Sequence, residues 1–292
     1  MQTSNKPGAS AINKTSVSVS DGTRLNVLQA GSGKTLVLIP GWSQTAEQFK
    51  FQIEGLADRY RVIAVDMHRH HRGHGDSDKP GHGYRIQRLA KDVHDVLAAL
   101  ELKDVTILGH SMGCSVLWCH HDLFGPQRIA RYVFCDQASF LTTDPAWTPQ
   151  QVADYGPIFT PESVTATAAA LAGPDGVPTT AGFLKAMVTA SMPADQFQWI
   201  VDLNLKMPRR AAADLLYNHC HQDWRDVLPR IAVPTLFIGG KASLVPHSCV
   251  AWEATQVPGA QLSIFSESEL GSHFMFVENP GKFNSLLAGF MG

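Results

Sequence analysis

Short, unbroken apolar runs separated by amphipathic stretches constrain this chain more than any other feature. Six such runs stand out: "TLVLIP" (35–40), "RVIAVD" (61–66), "VTILG" (105–109), "RYVFCD" (131–136), "PTLFIGG" (234–240) and "QLSIF" (261–265). Surface strands alternate apolar and polar residues, whereas runs like these predict strands buried on both faces of a parallel sheet. The intervening segments carry helical periodicity. Phe49, Ile53 and Leu56 mark one helix, and Ile86, Leu89, Val93, Val96 and Leu100 mark one face of another. Further helices are predicted over 112–124, over 247–257, and from Pro280 onward with Phe283, Leu287 and Phe290 turned inward. Two extended runs, 15–20 and 24–29, precede the pattern.

Residues 140–225 break the rhythm. They are rich in Ala, Pro, Thr and Met, with aromatics at helical spacing, and read as a helical cap inserted after the sixth strand. The predicted organisation is a flexible tail over 1–14, a core formed by 15–139 and 226–292, and a cap over 140–225. The chain of 292 residues, 44% hydrophobic, can bury a core of that size. Its 24 basic and 26 acidic residues, with no run of like charge, argue against nucleic acid or an anionic membrane as partner. A hydrophobic small molecule is the expected partner, and homo-oligomerisation is left open. Five cysteines without a C-x-x-C pair point to reduced thiols and a cytoplasmic setting.

The motif with most chemical content is Gly109-His110-Ser111-Met112-Gly113, a G-x-S-x-G between a predicted strand and a predicted helix. A serine on so tight a turn needs neighbours without side chains two residues before and two after it. The turn lifts the hydroxyl above the sheet edge and aims the Met112 N–H into the same space. Serine needs a base to become a nucleophile. Among thirteen histidines, His273 in "GSHFMFVENP" lies in the loop after the last predicted strand, where loops of an open parallel sheet share one crevice. "GSGKT" (31–35) is a turn and not a phosphate loop, because position 28 is leucine and a strand follows.

Together "PGW" (40–42), "RGHGDSDKP" (72–80), "GHSMG" and "GSHFMFVENP" resemble the α/β-hydrolase superfamily, in the cap-bearing branch with carboxylesterases, lactonases and non-haem chloroperoxidases. The resemblance spans about 16 to 292. It implies an eight-stranded, mostly parallel sheet flanked by helices, with Ser111 as nucleophile, His273 as base, and an oxyanion hole made by the Trp42 and Met112 N–H groups. No cofactor and no metal are implied.

The chain departs from that family at the third catalytic member. Most relatives carry an Asp after the seventh strand, but here the stretch Gly239–Pro246 has Ala242 in its place. Some branches carry the acid after the sixth strand, and Asp136 occupies that position. Asp136 is therefore assigned as the acid that orients His273. A second departure is the tract with His68, His70, His71 and His74. It reads as a solvated loop insertion, since only Asp66 and Asp76 accompany it as further ligands. Trp42, His110, Phe140, Trp147, Phe159 and Trp199 are expected to line the substrate pocket. The reading favoured is a serine hydrolase of an ester or lactone. The alternative is a cofactor-independent dioxygenase cleaving a 3-hydroxy-4-quinolone with the His273/Asp136 pair, resembled in the "PGW" loop and the acid after strand six. A non-enzymatic receptor is a third.

Overall fold

The computed structural model describes residues 11–67 and 83–292, so the histidine tract 68–74 and all of 72–80 lie outside the described residues. Eight strands form one sheet in the order β1-β2-β4-β3-β5-β6-β7-β8. They are β1 (Asn13–Ser18), β2 (Arg24–Ala30), β3 (Thr35–Ile39), β4 (Arg61–Val65), β5 (Val105–His110), β6 (Ile129–Cys135), β7 (Thr235–Gly240) and β8 (Gln261–Phe265). Strands β3 to β8 run parallel to their neighbours, whereas β1 and β2 form an antiparallel pair that joins β4 antiparallel. The sheet is the one expected, with a small shift at its start. Asn13 already pairs with Gln29, so the first strand begins two residues before the apolar pattern does.

The continuous apolar runs occupy the middle of the sheet because both of its faces are covered. Alternation along β3 sends Leu36 and Leu38 to one face and Val37 and Ile39 to the other. The second set packs under α2 (Ile86–Ala99) and α3 (Met112–Phe124). The first packs under α1 (Lys50–Leu56), α10 (Met275–Glu278) and α11 (Pro280–Met291). Each such side chain contributes about 1.5–3 kcal/mol on burial, so register and facing are set together.

Between β6 and β7 the chain forms α4 (Pro149–Tyr155), α5 (Pro161–Ala172), α6 (Gly176–Lys185), α7 (Ala194–Asn204) and α8 (Arg209–Cys220), and α9 (His247–Gln256) follows β7. The starts of the inserted helices are written locally. Thr148 and Thr160 each accept from the backbone N–H three residues on, Gln151 and Ser163 return the bond, and proline takes the first helical position in both. Among the described residues, no helix is long and apolar enough to cross a membrane.

Candidate active site

Ser111 sits where β5 becomes α3, with φ 54° and ψ −128°, a conformation L-residues avoid. The turn is held from several sides. Ser111 N–H donates to the Cys135 carbonyl at 2.9 Å, tying the end of β5 to β6. A Cβ on Gly109 would sit 2.6 Å from the Gly113 backbone, and one on Gly113 would sit 2.4 Å from the Ile39 carbonyl oxygen. Both glycines are therefore demanded by close backbone approach, as the motif implies. A third approach is supplied by the loop after β3, since a Cβ on Gly41 would lie 2.8 Å from Ser111 Cβ. That packing brings the Gly41–Trp42 backbone alongside the serine. Met112 is the first residue of α3, where helix N–H groups have no partner within the helix.

Asp136 repeats the geometry one strand along. It follows β6, has φ 58°, and its N–H donates to the Ile238 carbonyl of β7 at 2.8 Å. Its Oδ2 accepts from His273 Nδ1 at 2.6 Å, with both side chains buried. His273 Nε2 has no hydrogen-bond partner among the described residues. Ser111, His273 and Trp42 line one cavity. The structure thus brings together the three side chains and the two loops singled out in the sequence.

The loop after β7, where Ala242 replaces the usual acid, contributes in a different way. Ser243 Oγ donates to the same Asp136 oxygen, and also accepts from Val245 N–H at 3.1 Å. Sequence reasoning passed over this serine, although its place beside the missing acid was the signal. Arg209 was also missed. Its guanidinium donates to Ser43 Oγ at 2.8 Å and to the Asn204 and Met207 carbonyls, lashing the loop after β3 to the start of α8. Trp42 Nε1 donates to the Ala212 carbonyl of α8 at 2.7 Å. The His273 N–H donates to the Met187 carbonyl at 3.1 Å, so the insert also holds the histidine loop.

Of the six expected pocket residues, Trp42 and Phe159 line the cavity and the other four do not. His110 lies beneath it, fully buried, with Nε2 2.8 Å from the His273 carbonyl oxygen and Nδ1 3.0 Å from Gln44 Oε1. Burial, then the neighbouring His273, drives the His110 imidazole well below the usual histidine range, so it braces the site as a neutral group. Phe140 and Trp147 pack instead around the Arg225 guanidinium, 5.6 and 4.9 Å from it, where cation–π attraction holds them. Trp199 stacks edge-on to Phe51 under Lys50. The cavity is walled mainly by Leu141, Phe183, Leu184, Met187 and Leu216, and α8 adds His219.

The comparison with known proteins agrees with the fold. A family model described as the alpha/beta hydrolase fold matches residues 34–181. The chain belongs to that family. It is 26% identical to the AB hydrolase superfamily protein YisY of Bacillus subtilis, over 91% of this chain and 94% of that protein. Its structure is similar to the esterase EaEST of Exiguobacterium antarcticum, with a TM-score of 0.85, 28% identity, and coverage of 95% of this chain and 98% of the other. It is similar also to Est816, described as an N-acyl homoserine lactone degrading enzyme, with a TM-score of 0.75, 25% identity, and coverage of 94% and 100%. The protein is thus an enzyme of the α/β-hydrolase family.

Proposed function

We propose that the protein is a serine hydrolase that cleaves an ester or lactone of a hydrophobic small molecule. One observation carries the reading. The buried Asp136 carboxylate engages His273 Nδ1 at 2.6 Å, and the other ring nitrogen is unpartnered beside the cavity that Ser111 lines. A carboxylate on Nδ1 fixes the tautomer with a bare Nε2, the form that accepts a proton. The family's esterase and lactone-degrading members, and an apolar cavity, support the substrate class.

In this reading Ser111 Oγ attacks the carbonyl carbon while its proton passes to His273 Nε2. The carbonyl oxygen becomes an oxyanion between the Trp42 and Met112 N–H groups, each donor contributing about 3–4 kcal/mol to the transition state. As the intermediate collapses, His273 returns the proton to the leaving alkoxide and the acyl group stays on Ser111. Water then attacks the acyl-enzyme, giving its proton to His273. The second collapse releases the acid and restores the serine hydroxyl. In a lactone the alcohol and the acid remain in one product. The inserted helices act as the cap that walls the acyl site.

Labelling with a fluorophosphonate tests this reading. It should modify Ser111 with one equivalent, and Ser111→Ala should lower p-nitrophenyl hexanoate turnover by at least about 10⁴-fold. Unlabelled Ser111, or oxygen uptake with a 3-hydroxy-4-quinolone that persists in Ser111→Ala, would replace hydrolysis with the oxygenase chemistry of the same His273/Asp136 pair.

A further inference from the structure

The cavity wall contains one titratable side chain that the proposed hydrolysis does not use. His219 lies on the last turn of α8, one helical turn beyond Leu216, so both point from the same helix face into the cavity. It is only 4% exposed, and its Nδ1 is fully buried with no hydrogen-bond partner. A buried polar atom without a partner is a standing cost to the fold, which a leucine in this wall would not incur. The cavity lining includes the polar side chains of Gln44, Ser111, Gln137 and His273, yet none of them hydrogen-bonds His219 Nδ1. None of the described residues lining the cavity carries a carboxylate, an ammonium or a guanidinium. Burial pushes the His219 imidazole down to about 3, so it stays neutral at working pH and presents one N–H and one bare nitrogen.

Resting on the serine-hydrolase reading, we propose that His219 is a specificity-determining residue that hydrogen-bonds a neutral polar group of the substrate. The preferred ester or lactone then carries a carbonyl, hydroxyl or amide within the apolar portion that fills the cavity. A plain hydrocarbon chain leaves the imidazole unpaired. A charged chain loses its hydration and meets no counter-charge.

Two matched substrate sets test this. The first is the p-nitrophenyl esters of five- to eight-carbon alkanoic acids against the same acids with one oxo group moved along the chain. The second is the hexanoates of alkanols against those of the corresponding oxo-alkanols. The native protein should favour an oxo substrate at one position by about 10-fold in kcat/KM, with the difference residing in KM. His219→Leu should erase that preference while melting at a higher temperature than the native protein. His219→Gln, which keeps a donor and an acceptor, should retain part of it. Fluorophosphonate should still label Ser111 with one equivalent in both variants, which shows the nucleophile to be intact. No preference at any position in either set, or an undiminished preference in His219→Leu, overturns the proposal while labelling stays intact. Absence of labelling and of all ester turnover in the native protein is a different result, which removes the hydrolase reading itself.

Discussion

Replacing Asp136 by Asn tests the proposed site most sharply, because it changes one atom in a fully buried contact. In the native structure Oδ2 accepts two hydrogen bonds, from His273 Nδ1 at 2.6 Å and from Ser243 Oγ. Oδ1 is buried without a partner. An asparagine can offer its carbonyl oxygen to these donors, with its amide in the Oδ1 position, or it can present the amide to His273. The first orientation keeps the tautomer but removes the negative charge that stabilises imidazolium during the reaction. The second forces the proton onto Nε2 and disables the base. Losses of about 10² to 10⁴ in kcat bracket the two cases, or roughly 3–5 kcal/mol in the barrier. KM should change little, because the residue lies behind the histidine and not against substrate. Initial rates on p-nitrophenyl hexanoate, with the melting temperature as a check on folding, decide the matter. A folded Asp136→Asn protein turning over within threefold of native would show that His273 takes its orientation from another group and that the assignment of the acid is wrong.

Further outcomes follow from neighbouring contacts. Ser243→Ala removes one of the two donors on Asp136 Oδ2; kcat should fall about 10-fold with native KM, and an unchanged kcat would reduce Ser243 to a turn residue. Arg209→Met cuts the guanidinium bonds to Ser43, Asn204 and Met207; stability should drop by about 2–4 kcal/mol and kcat with it, read by urea melts and rates, and a variant as stable and active as native would refute the strap. Glu253 is fully buried on α9 and accepts from Ser139 N–H; burial, with Asp136 adding to it, raises its carboxyl well above the ordinary value of 4.5. The folded state therefore holds a proton that the unfolded chain releases. This contribution is fully present below pH 4.5 and is lost as pH rises through the folded value, at up to about 1.4 kcal/mol per pH unit. Glu253→Gln should flatten that decline above pH 4.5 in urea midpoints; parallel native and variant curves would contradict it.

What could be read from the sequence was whatever depends on near neighbours in the chain. The strands announce themselves as continuous apolar runs, and the elbow by glycines two residues either side of Ser111. His273 and Asp136 are legible because each follows a strand, and strand ends of a parallel sheet share an edge. Pocket residues depend instead on how helices roll against each other, which periodicity does not fix. Composition makes Phe140 and Trp147 resemble substrate contacts, yet the Arg225 guanidinium packs over both rings. His110 belongs to the motif, but the turn that exposes Ser111 necessarily points its neighbour into the core. His219 has no distinguishing pattern, since its meaning comes from the lack of a partner, whereas Ser243 offers only its place beside the missing acid and gains its meaning from Asp136, 107 residues earlier in the chain.

In the proposed site the acid is displaced to β6, a rearrangement that one edge of the sheet can accommodate. Ser111 and Asp136 both adopt positive φ, a conformation that costs about 1–3 kcal/mol for a non-glycine residue. Each is held there by the next strand: β6 takes the Ser111 N–H through Cys135, and β7 takes the Asp136 N–H through Ile238. The strain is thus opposed by ladder bonds that the parallel register supplies in any case. Because β6 and β7 are adjacent and parallel, a carboxylate after either strand emerges at the same edge, within reach of the loop bearing His273. What the loop after β7 then must provide is no longer charge but a donor, and Ser243, one residue past the alanine, provides it. Moving the acid one strand inward therefore changes which loop carries the negative charge, while the imidazole, its tautomer and the elbow stay where the sheet puts them.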